Sequence, residues 1–233
     1  VLLGDLKVAP TRAAWAKGAG TAGAAFLTQG VGARSFAMGE AAAASADVYA
    51  LHWNPGGLAR MDGKLNVGTQ FLRGFGGTIA GTVIGAAAMP GLGTVAGQIA
   101  YATAGDLVYT DWAGNSQTVT AESDLLIGAG YARKLGLVGG GAGLKFFRSA
   151  LASGLKDSKG NDLGASAVTV AADLGAQADL FGKVRAGLAV LNLGPALKYK
   201  STSDALPLTV RAGGSVDLPL GGITLIPALD VSL

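Results

Sequence analysis

The 233-residue sequence contains no cysteine and a single histidine. The first absence excludes disulfides, zinc fingers, iron–sulfur clusters and thiol catalysis. The second leaves His52 without a partner imidazole, a poor start for a zinc site. Charge is also scarce: 14% of residues are charged, against about 25% in soluble domains. Aromatics make up 6%, and the net charge is only +3. With basic residues scattered and no aromatic stacking platform, nucleic acid is not an expected partner. Only 7 prolines and no glycine period of three exclude collagen.

What is present is glycine and alternation. Glycine accounts for 39 residues, and the mean hydropathy is +0.42. Residues 74–105 carry no charge. That run is long enough for a membrane helix, but Pro90-Gly91 interrupts it. Downstream segments have period two. In Leu208–Leu218, Leu208, Val210, Ala212, Val216 and Leu218 oppose Thr209, Arg211, Gly213, Ser215 and Asp217. In Ser166–Asp179, Val168, Val170, Ala172 and Leu174 oppose Thr169, Asp173, Gln177 and Asp179. A helix smears such sets around its circumference, whereas a strand separates them.

The same pattern predicts about nine strands: 64–73, 77–88, 94–104, 122–133, 137–148, 166–179, 183–193, 208–218 and 222–233. Each is near the ~9–11 residues that a tilted strand needs to cross a bilayer. Periodicity leaves two folds open. The apolar face is either the core of a soluble sandwich or the lipid face of a barrel with a polar lumen. Connection lengths favour the barrel. Short turns near Pro90-Gly91, Lys134–Gly136, Leu180–Gly182 and Pro219–Gly221 alternate with long links at 105–121, 149–162 and 194–207. The link at 74–76 is the exception.

The expectation is an all-β transmembrane antiparallel barrel over residues 64–233, preceded by an N-terminal extension at 1–19 and a small-residue hatch at 20–63. Bacterial barrels have even strand numbers, so an odd count leaves open a barrel that is incomplete or closed by a partner. The start, VLLGDLKVAP, lacks the basic and apolar regions of an export signal; it is expected to be a mature or trimmed end.

The stretch Trp53-Asn54-Pro55-Gly56-Gly57 marks the hatch. Asn54-Pro55 is predicted to stop a helix and Gly56-Gly57 to make the turn into the first strand. His52 is expected to pack beside Trp53, not to act as a base or metal ligand. Gly139–Gly143 lacks the Gly-Lys-Ser/Thr ending of a phosphate loop. It falls mid-strand, where glycine implies a bend or close backbone approach. Asp173, Lys183, Arg185, Arg211 and Asp217 are expected in a polar lumen, with Asp179. Neither a catalytic group nor a cofactor site is expected. The polar loops 149–162 and 194–207 are the first places to seek a protein partner.

Several motifs carry a family resemblance. Gly32-Ala33-Arg34, Met38-Gly39, Ala46-Asp47 and Trp53-Asn54-Pro55-Gly56-Gly57-Leu58 resemble the N-terminal signature of PorV/PorQ-like outer-membrane proteins, within the wider FadL-like barrel group. Leu191–Pro195 through Leu206–Leu208 is similar to a strand–loop–strand block of the same family, and Gly130–Leu135 is a lesser match. Gly56 stands where the family usually has alanine. The resemblance implies a monomeric barrel of about fourteen strands in the outer membrane of a Gram-negative bacterium, with the Asn-Pro segment as a lumenal hatch. It further implies a non-enzymatic role. That role is in protein secretion of the type IX kind, as a shuttle for proteins bearing a C-terminal signal. Two alternatives are transport of hydrophobic molecules, as in FadL, and a structural place in an envelope complex. The implied partners are membrane lipid, secreted or envelope proteins, and a hydrophobic ligand.

Overall fold

The computed structural model describes residues 24–61, 64–200 and 202–233. The expected extension at 1–19 and the first residues of the expected hatch, 20–23, lie outside these. Fourteen strands are present among the described residues. They are β1 Leu65–Arg73, β2 Ile79–Met89, β3 Gly93–Thr103, β4 Asp106–Thr110, β5 Ser116–Leu135, β6 Val138–Ser153 and β7 Ala165–Leu180. The rest are β8 Val184–Leu193, β9 Leu197–Lys198, β10 Ser203–Asp204, β11 Thr209–Val216, β12 Leu218–Leu220, β13 Ile223–Leu225 and β14 Ala228–Ser232.

Nine of them form one continuous antiparallel path in the order β1-β2-β3-β5-β6-β7-β8-β11-β14, with β4 paired to β5. These nine correspond to the nine strands predicted from alternation. β1 and β14 are the edges, and each has one sheet partner.

The polarity of the two faces decides between sandwich and barrel. On β7, Val168, Val170 and Leu174 are exposed, while Thr169, Asp173 and Gln177 are buried. The same inversion runs across the sheet: Val83, Ile99, Leu144, Leu188 and Leu229 are each more than half exposed. Lys145, Ser149, Gln98 and Arg211 are buried. A soluble fold would hide the first set and wet the second. A wall with lipid outside and polar groups inside requires what is seen. No described helix is long and apolar enough to cross a membrane.

The sheet curls around the Ala24–Met61 segment, which contacts all nine strands of the path. Gln70 on β1 donates to Gly30 O at 3.0 Å. At the other edge, Asp230 on β14 accepts from the Ala42 and Ala43 amides. Two apolar clusters fill the space between. One joins Val48, Leu51 and Leu58 to Ile84, Ala96 and Ala132. The other joins Leu27 to Leu126, Phe147, Leu197 and Leu206.

Two expectations are corrected. The last sheet strand is Ala228–Ser232, not 222–233. Residues 218–225 instead form a separate two-stranded ribbon, β12–β13, turning at Gly221 and Gly222, both at positive φ. Pro219 and Pro227 have no N–H to give the main sheet. In addition, the link 149–162, expected as a polar loop, is largely hairpin, as is the long link 105–121. Their tips share one spacing, Asp111-Trp112-Ala113-Gly114-Asn115 and Asp157-Ser158-Lys159-Gly160-Asn161. Asp111 Oδ1 accepts from the Ala113 and Asn115 amides at 2.9 and 2.8 Å, and Asn115 Nδ2 donates to Oδ2 at 2.9 Å. Asp157 repeats this with Lys159 and Asn161, all at 2.8 Å. Gly114 and Gly160 take positive φ, 87° and 83°, which glycine adopts at little cost. Gln117 ties the hairpins together, donating to Lys156 O and accepting from Lys156 N. Lys200, from the β9–β10 loop, donates to Asp162 O.

Candidate functional site

The Ala24–Met61 segment is built from short pieces: a 3-10 turn Ala25–Thr28, α1 Ala33–Ala37, α2 Ala50–Trp53 and a 3-10 helix Pro55–Arg60. Asn54 separates the last two. Its backbone is extended, at φ −163°, as the residue before proline prefers. Its side chain then caps the next turn, with Oδ1 accepting from Gly56 N at 3.1 Å. Asn54 Nδ2 donates to Ala43 O at 2.7 Å and to Ala176 O of β7 at 3.1 Å. One fully buried amide therefore holds its own segment together and fastens it to the wall.

Gly56 and Gly57 do not make the predicted turn into β1. They lie within the 3-10 helix, and neither has positive φ. Their role is close approach. A Cβ on Gly56 would stand 2.8 Å from both Ala176 Cα and Gly139 O. The wall answers with its own glycines. A Cβ at Gly141 would stand 2.8 Å from Gly56 N, one at Gly175 2.9 Å from the same atom, and one at Gly187 2.9 Å from Asn54 Nδ2. Backbone lies on backbone along β6, β7 and β8, so the glycine run on β6 is a seat for Pro55-Gly56.

Buried polar groups complete the seam. Gln177 Nε2 donates to Ala43 O and Ser45 O at 2.9 and 2.7 Å. Asp230 Oδ2 accepts from the amides of Ala42 and Ala43 at 2.8 and 2.7 Å and from Arg211 Nη1 at 3.1 Å. Arg211 also donates to Glu40 O, and its guanidinium lies 4.7 Å over the Trp53 ring. The geometry combines charge-assisted hydrogen bonds with a cation–π contact. Trp53 Nε1 donates to Val31 O at 2.8 Å.

His52 stands edge-on to Trp53, with ring centres 4.9 Å apart. Burial, reinforced by the nearby cations Lys145 and Arg211, pushes its pKa down to about 3. It is a neutral packing group across the physiological range. Among the described residues no three His, Cys, Asp or Glu side chains converge on a metal position.

The remaining polar candidates separate by depth. Asp173 is fully buried and pairs with Lys145 Nζ at 2.7 Å. Lys145 also donates to Asn192 Oδ1, and Asn192 N donates to Asp173 Oδ1. Asn192 reaches inward because Leu191 and Asn192 together oppose the single Asp173 between β8 and β7, a β-bulge with Asn192 at φ 61°. Arg185 and Asp217 pair at 2.7 Å near the short-turn rim, both partly exposed. Asp179 pairs there with Arg60. Lys183 departs from its expected lumenal place. It sits in the turn 181–183 and is exposed, because the strand begins one residue later. Lys145, Gln177, Asn192 and Asp230 were not singled out from the sequence. Their signal was present as polar positions on the face opposite the apolar one, but nothing in the spacing ranked them above their neighbours.

An antiparallel wall, apolar outside and polar inside, wrapped on its own N-terminal segment defines a β-barrel protein of the bacterial outer-membrane type. Residues 13–228, nearly the whole chain, match the family model described as type IX secretion system protein PorV. The chain belongs to that family, and a part in type IX secretion follows. No curated protein matches the chain.

Proposed function

We propose that the chain serves type IX secretion as a plugged outer-membrane barrel that meets exported proteins at its long-loop rim, in the manner of a shuttle. The Ala24–Met61 segment is its hatch, and Trp53, Asn54, Pro55, Gly56 and Gly57 hold that hatch in place. The observation that carries this reading is the bonding of one segment to both edge strands, through Gln70 and Asp230. A segment so fastened blocks passage and leaves the loop platform as the working surface.

The test is site-specific photo-crosslinking in the native envelope. A photoreactive residue replacing the exposed Trp112 should capture secreted proteins that share a C-terminal signal. One replacing Leu144 on the outer wall should capture lipid only. Lipid alone from both positions would overturn the proposal.

A further inference from the structure

Most buried charge in this molecule is answered by an opposite charge or several hydrogen bonds. Asp124 is not. It lies on β5, 96% buried by its 4% exposure, and its Oδ1 has no hydrogen-bond partner. No lysine or arginine among the described residues pairs with it, although such pairs hold Asp173, Asp179, Asp217 and Asp230. Across the strand, Ser149 is its register partner on β6, and the Ser149 hydroxyl is the one side-chain hydrogen-bond group that bears on the Asp124 carboxyl.

Asp124 is one wall of a cavity of about 240 Å³ under the long-loop rim. Glu122, two residues earlier on the same face, lines it as well, as do Phe26, Gln29 and Thr103. Tyr199 packs against the adjoining cluster. Burial raises the pKa of its phenol, and the negative charges of Asp124, Glu122 and Asp204 push the same way. The cavity thus gathers two carboxylates, an aromatic ring and an amide, with no lysine or arginine among the described residues that line it. A carboxylate taken out of water without a partner is costly, and the same low dielectric makes it a strong acceptor for any cation that enters.

We propose that this cavity binds a cationic group, a primary ammonium or guanidinium, that enters from the long-loop rim and pairs with Asp124, with Glu122 at the entrance and the Phe26 ring beside it. The proposal goes beyond the secretion role and stands whether the group belongs to a polypeptide side chain or to a free polyamine. The donor hydrogens of an ammonium suit the carboxylates of Asp124 and Glu122, which both line the cavity.

Titration calorimetry on the full chain in detergent micelles tests it, with spermidine and the peptide Gly-Gly-Lys-Gly-Gly as separate probes. Saturable binding of either is expected. Asp124→Asn should weaken it at least about tenfold, since one partner of a buried charge pair is lost. Asp111→Asn, an equal charge change at a hairpin tip, should leave it unchanged. Spermidine alone would identify a polyamine site, and the peptide alone a side-chain site. Ala102→Leu narrows the cavity while keeping both carboxylates, and should also weaken binding, which covers the case in which Asp124→Asn fails to fold. No saturable binding of either probe, or equal binding by both variants, would overturn the proposal.

Discussion

The hatch seam and the twin loop hairpins are both dense with hydrogen bonds, yet they are built on opposite principles. In the seam, partners lie far apart in sequence: Ala43 meets Gln177 and Asp230, and Asn54 meets Ala176. In the hairpins, one aspartate satisfies residues two and four positions later. The seam exists only when the whole sheet is in place, whereas each hairpin tip carries its own instructions. The proposed hatch role suits the first arrangement, and the proposed contact surface suits the second.

The comparison breaks most sharply at Asp230. Asp230→Ala leaves Arg211 and two amides without their acceptor, and removing one partner of a buried pair costs about 3–5 kcal/mol. Chemical denaturation should show that loss, and limited proteolysis should show cleavage within residues 24–61. An unchanged midpoint would mean that the seam is not held from β14. Gly175→Val should come next. Its side chain would stand where Asn54 and Gly56 now lie, and overpacking of this kind costs about 1–3 kcal/mol. A thermal melt of the variant beside Gly140→Val, whose added Cβ meets nothing within 4 Å, separates hatch seating from strand propensity.

The third effect depends on pH. His52 has a folded pKa near 3, below its ordinary 6.5. The folded state therefore binds fewer protons than the unfolded one between these values, and stability falls as pH drops below 6.5. By pH 5 the loss is about 2 kcal/mol. In a His52→Phe variant the stability curve should be flatter over that range, and a parallel curve would exclude this residue. The smallest effect belongs to the hairpins. Hydrogen bonds from Asn115 and from Asn161 hold the carboxyls of Asp111 and Asp157 below the usual range. Tip order is thus present above the ordinary aspartate pKa and is lost only as pH falls through the lowered values. Asp157→Ala should raise amide exchange at residues 157–161 and leave the global melting point unmoved. A shift of that point would show that the hairpins are not autonomous.

Alternation was enough to place eight of the nine sheet strands and part of the ninth, because a period of two survives in the sequence whatever surrounds the sheet. It could not say which face was wet. That depended on finding Asp173 and Gln177 buried while Val168 and Leu174 stayed exposed. Glycine was the least legible residue. Gly56-Gly57 reads as a turn from its neighbours alone, and its true demand is set by Gly139, Gly141 and Gly175, which only the curl of the sheet brings near. The bulge at Asn192 was hidden for a similar reason, since register belongs to two strands and not to one. The Asp-x-x-Gly-Asn repeat was fully legible, and comparing the two links would have revealed both hairpin tips.

The clasp at Asp230 also sets an order in time. Ala42 and Ala43 stand nearly two hundred residues before Asp230 in the chain. These two amides wait for their acceptor until β14 has found β11. Pairing of β14 with β11 and this fastening of the Ala24–Met61 segment are therefore one event, and a chain halted before that strand would keep the Gln70, Asn54 and Gln177 bonds to the segment but lack the Asp230 clasp.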